Sequence, residues 1–180
     1  MIKVLVVDDH ALFRQGIINL FERIDDFPVG GEASSGAQAI QVAKRLSPDV
    51  IVMDIKMKDI DGITAAKLLR ERGVQAAVVL ITLHRERHFT ERARREANVN
   101  GYVLKQDAFE DLVNSVRTVH RGGSYYSPIL ARELGLIGED GAWFASNGRR
   151  TYGFALIAEA IAARRSRENP ILRFDIATIF

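Results

Sequence analysis

No cysteine occurs in this 180-residue chain, and only four prolines and one tryptophan do. Without thiols the protein can hold no disulfide, no thiolate-bound metal and no cysteine nucleophile, which suits a reducing compartment. Strong net charge is lacking too: 25 Lys and Arg face 23 Asp and Glu, a formal +2. That balance gives no sign of a wholly basic nucleic-acid binder. No apolar run is long enough to span a bilayer, and Met1-Ile2-Lys3-Val4 leads into a strand-like segment instead of a leader. A cytoplasmic location with no membrane partner is expected. What is present is 47% hydrophobic and 27% charged residues, the composition of a soluble globular protein with a real core.

The stretch Asp49 to Gly62, DVIVMDIKMKDIDG, organises the rest. Val50-Ile51-Val52-Met53 is a short all-apolar run, the pattern of a strand buried on both faces. It ends on Asp54 and breaks into a polar loop closed by Asp61-Gly62. Open α/β sheets place their ligand chemistry at such carboxyl ends. The same pattern repeats along the chain. Strands are expected near 3–7, 28–32, 50–53, 77–82 and 101–104, and helical spacing of apolar residues fills the intervals from Leu12 to Ile24, Ala37 to Leu46, Ile63 to Leu69 and Phe109 to Val119. The charged segment 86–97 reads as a further helix. Alternation of this length predicts an α/β fold: a doubly wound, five-stranded parallel sheet in the flavodoxin-like order 2-1-3-4-5.

In that topology the strand ends share one edge. Strand one ends in Asp8 and Asp9, strand three in Asp54, strand four in Thr82 and strand five at Lys105. Three converging carboxylates repel one another unless a cation neutralises them, and Mg²⁺ accepts a few hard oxygen donors while keeping several waters. A lysine and a threonine hydroxyl beside the acids suit phosphoryl oxygens, and an aspartate can be a nucleophile towards phosphorus. The residues therefore describe a Mg²⁺-dependent aspartyl-phosphate site with Asp54 as acceptor. A strand-end Asp, Thr and Lys each have a plain structural reading; five such residues converging are the stronger signal.

Five segments in order carry a family resemblance: VLVVDDHALFRQG (4–16), VIVMDIKMKDIDG (50–62), VLITLH (79–84), NGYVLK (100–105) and GGSYYSP (122–128). The chain resembles the receiver domain of two-component response regulators, the NarL/FixJ class in particular. The resemblance implies phosphorylation of Asp54 by a histidine kinase or a small phosphodonor, with a homodimer on phosphorylation. It implies Mg²⁺ held by Asp9, Asp54 and the Lys56 backbone carbonyl, with Asp8 acting through water. Lys105 would pair with the phosphoryl group, Thr82 would swing towards it, and Tyr102 would follow as a switch residue. The family pattern has proline where Lys58 stands and an Ala-Gly-Ala type turn at Asn98-Val99-Asn100; neither departure removes a chemical role. On this reading the protein is a phosphoacceptor switch, not an enzyme. A haloacid-dehalogenase-like phosphatase would want a second Asp at position 56, which is Lys56. A flavin carrier would want a hydroxyl-rich loop where Asp8-Asp9-His10 stands. A stand-alone phosphate shuttle or sink receiver is the remaining alternative.

The tail differs. Residues 1–121 hold 18 Lys and Arg against 17 acids, while residues 122–180 hold seven Arg, no Lys and six acids. The expected organisation is a receiver at 1–121, a linker at 122–148, and at 149–180 a short tail, poorly ordered or partly helical. In the NarL/FixJ class a LuxR-type DNA-binding helix-turn-helix follows the receiver, but 131–180 lacks the apolar pattern for a four-helix core. Leu156-Ile157-Ala158-Glu159 matches the LIAEG of that domain, yet AIAARRSR follows where a string such as GNSSKEIA belongs. The codons GAA GCA ATA GCA GCA AGG AGA TCG CG encode the chain from Glu159. One extra G after the first of them yields EGNSSKEIA, and another frame of 150–155 can give ERTVL. The tail thus reads as a frame-disrupted remnant whose DNA-binding output is lost. The gene's nucleotides at codons 145–170 should carry both strings in an alternative frame; if no frame encodes them, the remnant reading fails.

Overall fold

The computed structural model describes residues 1–83, 92–93, 95–97 and 99–133, and the backbone at 143–144 and 150–151. Strand β1 (Val4–Val7) leads to helix α1 (Ala11–Glu22), β2 (Val29–Ala33) to α2 (Gly36–Leu46), and β3 (Val50–Asp54) to α3 (Gly62–Glu71). After β4 (Ala77–Thr82), the described residues from Arg92 to Ala97 are helical. Strand β5 (Gly101–Leu104) runs through a 3-10 turn (Lys105–Asp107) into α4 (Ala108–His120).

Every residue of β1, β3 and β5 is buried, as the continuous apolar runs require when helices cover both faces of a sheet. Alternate residues serve the two faces. Val4, Val6, Val50, Val52, Val79, Ile81 and Val103 form one core with Ile17 and Phe21 of α1 and Leu112 and Val116 of α4. Helices α2 and α3 pack against each other and against β2, β1 and β4. The predicted hydroxyl cap is in place, Ser35 accepting from the Gln38 amide, and Asp61 caps α3 through the Thr64 amide.

The sheet has six strands, not the five expected: β2-β1-β3-β4-β5-β6, all neighbours parallel. The added β6 (Tyr125–Tyr126) lies in the stretch read as linker. A two-residue strand between turn residues shows no side-chain periodicity; backbone bonds define it. Tyr125 N–H donates to Asn100 O at 3.0 Å and Ser127 N–H to Tyr102 O at 2.9 Å. A short helix, α5 (Pro128–Glu133), follows.

The chain divides into two compact units, Met1–Leu130 and Ala131–Phe180. In the second, an antiparallel pair joins β7 (Trp143–Phe144) to β8 (Arg150–Thr151). Most of the tail expected at 149–180 to be poorly ordered or partly helical, and with it most of the suspected remnant, lies outside the described residues.

Side chains reinforce β6. The Leu104 amide donates to Ser127 Oγ (3.1 Å), and Ser127 Oγ donates to Asp111 Oδ2 (2.6 Å), whose Oδ1 accepts from the Tyr125 hydroxyl (2.8 Å). Ser127 is fully buried. Ser127→Ala should strand the Leu104 amide and lower unfolding free energy by about 1–3 kcal/mol in urea, with an unchanged m-value. An unaltered midpoint would show that the bond contributes nothing.

Candidate functional site

The chain crosses from one side of β1 to the other between β2 and β3, so the carboxyl ends of β1 and β3 flank the switch point. Asp8 follows β1 and donates its amide to Ala33 O at 3.1 Å. Asp54 is the last residue of β3, in register with Ile81 of β4. Thr82 ends β4 beside Leu104, and Lys105 opens the turn after β5. Gly62 is needed here: its amide donates to Ile55 O (2.8 Å), and a Cβ in its place would collide with the Asp54 carbonyl.

Asp8, Asp54 and Lys105 meet directly. Lys105 Nζ donates to Asp8 Oδ2 and to Asp54 Oδ2, both at 2.7 Å. All three are buried, at 0% exposure for Asp8, 2% for Asp54 and 8% for Lys105. Burial pushes the Asp54 carboxyl above its ordinary value, over the opposing pull of the Lys105 ammonium; the Asp8 carboxylate adds to the rise, and the Lys56 amide bonds the carboxylate and counters it. The Lys56 side chain itself is exposed. Thr82 and Tyr102 are each only 1% exposed. Full burial of Tyr102 exceeds that of a half-buried strand residue.

The acids fit a hard cation. One ligand atom each from Asp8, Asp9, His10 and Asp54 can be chosen so that all lie within 4.8 Å of one another. Carboxylate oxygens gathered this closely are the hard donors that Mg²⁺ would take. Asp9 Oδ1 is buried and accepts no hydrogen bond; His10 Nδ1, 3.0 Å away, forms an ion pair only when protonated and lacks hydrogen-bond geometry. A buried carboxylate oxygen with no hydrogen bond is a donor that a hard, oxophilic cation could use. Among the residues lining a separate cavity of about 650 Å³ are Asp49, Arg70, Asn100 and His120, none of them an expected site residue.

Sequence reasoning missed several supports. Arg14 donates to Asp8 O (2.7 Å) and to Glu32 (2.7 Å), fixing the start of α1 against the turn after β1. Asp59, beyond the acceptor in the loop after β3, accepts from the Gly36 and Ala37 amides at 3.0 and 2.8 Å, tying that loop to the start of α2. Burial works the other way, but bonds from the Ala37, Ile60 and Gly36 amides together outweigh it and bring its carboxyl down to about 2. One Asp among several in a polar loop gives no signal of that reach.

The sequence profile described as the response regulator receiver domain matches residues 4–117. The chain belongs to the response regulator receiver family. This receiver is 39% identical over 136 residues to the response regulator GacA of Pseudomonas aeruginosa, covering 76% of this chain and 63% of GacA. Its structure is similar to a two-component response regulator of the LuxR family from Aurantimonas sp. SI85-9A1, with TM-score 0.71, 30% identity and coverage of 75% of this chain and 96% of that one. It is also similar to the isolated REC domain of RcsB from Salmonella enterica serovar Typhimurium in the presence of phosphomimetic BeF3-, with TM-score 0.67, 25% identity and coverage of 74% and 98%. These likenesses put the receiver in the NarL/FixJ-type class. The chain spans less than two thirds of GacA's length.

If Lys105 is what allows two buried carboxylates to coexist, Lys105→Met should lower stability by about 3 kcal/mol in EDTA. Mg²⁺ should then raise the variant's urea midpoint by more than it raises the wild type's. Equal Mg²⁺ responses would contradict a shared neutralising role.

Proposed function

We propose that Asp54 accepts a phosphoryl group from a sensor histidine kinase, or from a small acyl phosphate, in a Mg²⁺-dependent reaction. The observation that carries this reading is the Lys105 ammonium seated between Asp8 and Asp54 at 2.7 Å from each, beside an orphaned Asp9 oxygen. An Asp54 carboxylate oxygen attacks phosphorus, the bond from phosphorus to the donor's nitrogen or oxygen breaks, and an acyl phosphate remains. Asp9, Asp54 and the Lys56 carbonyl would hold the metal, with Asp8 acting through water. Mg²⁺ bound there supplies positive charge against the acids and the phosphoryl oxygens.

Lys105 then exchanges its bond to Asp54 for one to a phosphoryl oxygen. Thr82, buried at the end of β4, donates its hydroxyl to another. Tyr102, on β5 and tied through its carbonyl to Ser127, moves in response. The phosphoryl group supplies the differential contacts that a two-state element needs. The protein is then a switch with no turnover chemistry beyond gain and loss of its own phosphoryl group. A haloacid-dehalogenase-like phosphatase is not favoured, because an exposed Lys56 stands where its second acid would be.

The kinase, a homodimer formed on phosphorylation and a cytoplasmic location complete the proposal. Among the described residues, no helix is long and apolar enough to cross a membrane. Its relatives' regulatory character suggests control of transcription by ancestry, with the DNA-binding output lost in the 149–180 remnant. Arg149, Arg150, Arg164, Arg165 and Arg167 would leave at most weak, sequence-independent phosphate binding.

Incubation with Mg²⁺ and acetyl phosphate should raise the intact mass by one phosphoryl group, and Asp54→Asn should abolish the gain. An unchanged wild-type mass would remove the acceptor role.

A further inference from the structure

The Lys105 ammonium has three N–H donors, and Asp8 and Asp54 each take one. A third side faces the Phe13 ring, with Nζ 4.6 Å from its centroid. That is well within the range of cation–π attraction. Phe13 sits near the start of α1 and is half-buried. Its ring is braced edge-on by Phe109 of α4, at 6.4 Å between centroids and 63° between planes. Gly16, one turn further along α1, gives Phe109 its room: a Cβ there would meet Phe109 Cζ at 3.2 Å. The helices that follow Asp9 and Lys105 therefore meet in an aromatic pair, and one of its rings caps the lysine.

We propose that Phe13 is a positioning residue for phosphoryl transfer, holding the Lys105 ammonium between the two acids while leaving it free to turn towards an incoming phosphoryl oxygen. The inference rests on the acceptor role of Asp54. A lysine head on a four-carbon stem has several rotamers to lose. A third hydrogen-bond acceptor would fix the ammonium directionally and compete with the phosphoryl group. A ring face attracts the charge without a preferred N–H direction, so Lys105 can exchange Asp54 for a phosphoryl oxygen at little cost. An aliphatic residue of similar bulk would keep the packing between α1 and α4 and lose this hold.

Initial rates of phosphorylation by acetyl phosphate, across donor concentrations in Mg²⁺, test the idea. Phe13→Leu should lower the maximal rate by about 3- to 30-fold, the range of a cation–π contact expressed as a rate. The donor KM should change little, and Phe13→Trp should stay near wild type. In a Lys105→Ala background, Phe13→Leu should cause no further loss, because the ring acts through the ammonium. Equal slowing in both backgrounds, or none in either, overturns the proposal. A wild type that gains no phosphoryl group refutes the acceptor role of Asp54 instead. The ring contact is then read directly by NMR: the Lys105 ε-CH2 protons should be shifted upfield in the wild type and return to ordinary values in Phe13→Leu. Unshifted wild-type signals would overturn the contact whatever the kinetics.

Discussion

A single ammonium lodged between two buried carboxylates is the interaction on which this structure turns. Asp8 and Asp54 are almost completely removed from solvent, and their charges lie close enough to share one Lys105 Nζ. Without a cation that arrangement is untenable in a medium of low dielectric constant. Lys105 reaches it only because β5 lies beside β4 and β4 beside β3, and because the 3-10 turn after Leu104 directs the chain back over the sheet edge. A buried ion pair is weak evidence of stability in itself. Its value here lies in preorganisation, a charged pocket assembled before any phosphoryl group arrives.

How much of this was legible in the sequence follows from what each element exposes to water. Strands β1, β3 and β4 declared themselves because helices bury both their faces, leaving runs such as Val4-Leu5-Val6-Val7 with no polar residue. The abrupt acids after those runs then marked the site. The edge strand β2, Val29-Gly30-Gly31-Glu32-Ala33, is buried only in part and gave a weaker signal. Strand β6 gave none, since Tyr125 and Tyr126 pair through backbone atoms common to every residue. Asp59 reads as one more polar loop residue until α2 is seen to stand on it. Phe13 reads as one apolar position on an amphipathic helix; that its ring caps a lysine from β5's far end depends on a juxtaposition no local pattern encodes.

The network through Asp111, Ser127 and Leu104 gives the C-terminal boundary of the receiver a physical meaning. The start of the stretch expected as a linker is bonded to the strand that carries Tyr102 and precedes Lys105. Chain leaving the receiver is therefore anchored to the strand that bears the proposed switch residue.

The proposed acceptor is Asp54 and no other residue. Borohydride reduction of the phosphorylated protein, followed by peptide mapping, tests it most directly, because reduction converts an aspartyl phosphate to homoserine in place. Homoserine should appear at position 54 alone, dependent on Mg²⁺. Homoserine at Asp8 or Asp9, or none anywhere in a protein that has gained a phosphoryl group, would contradict it.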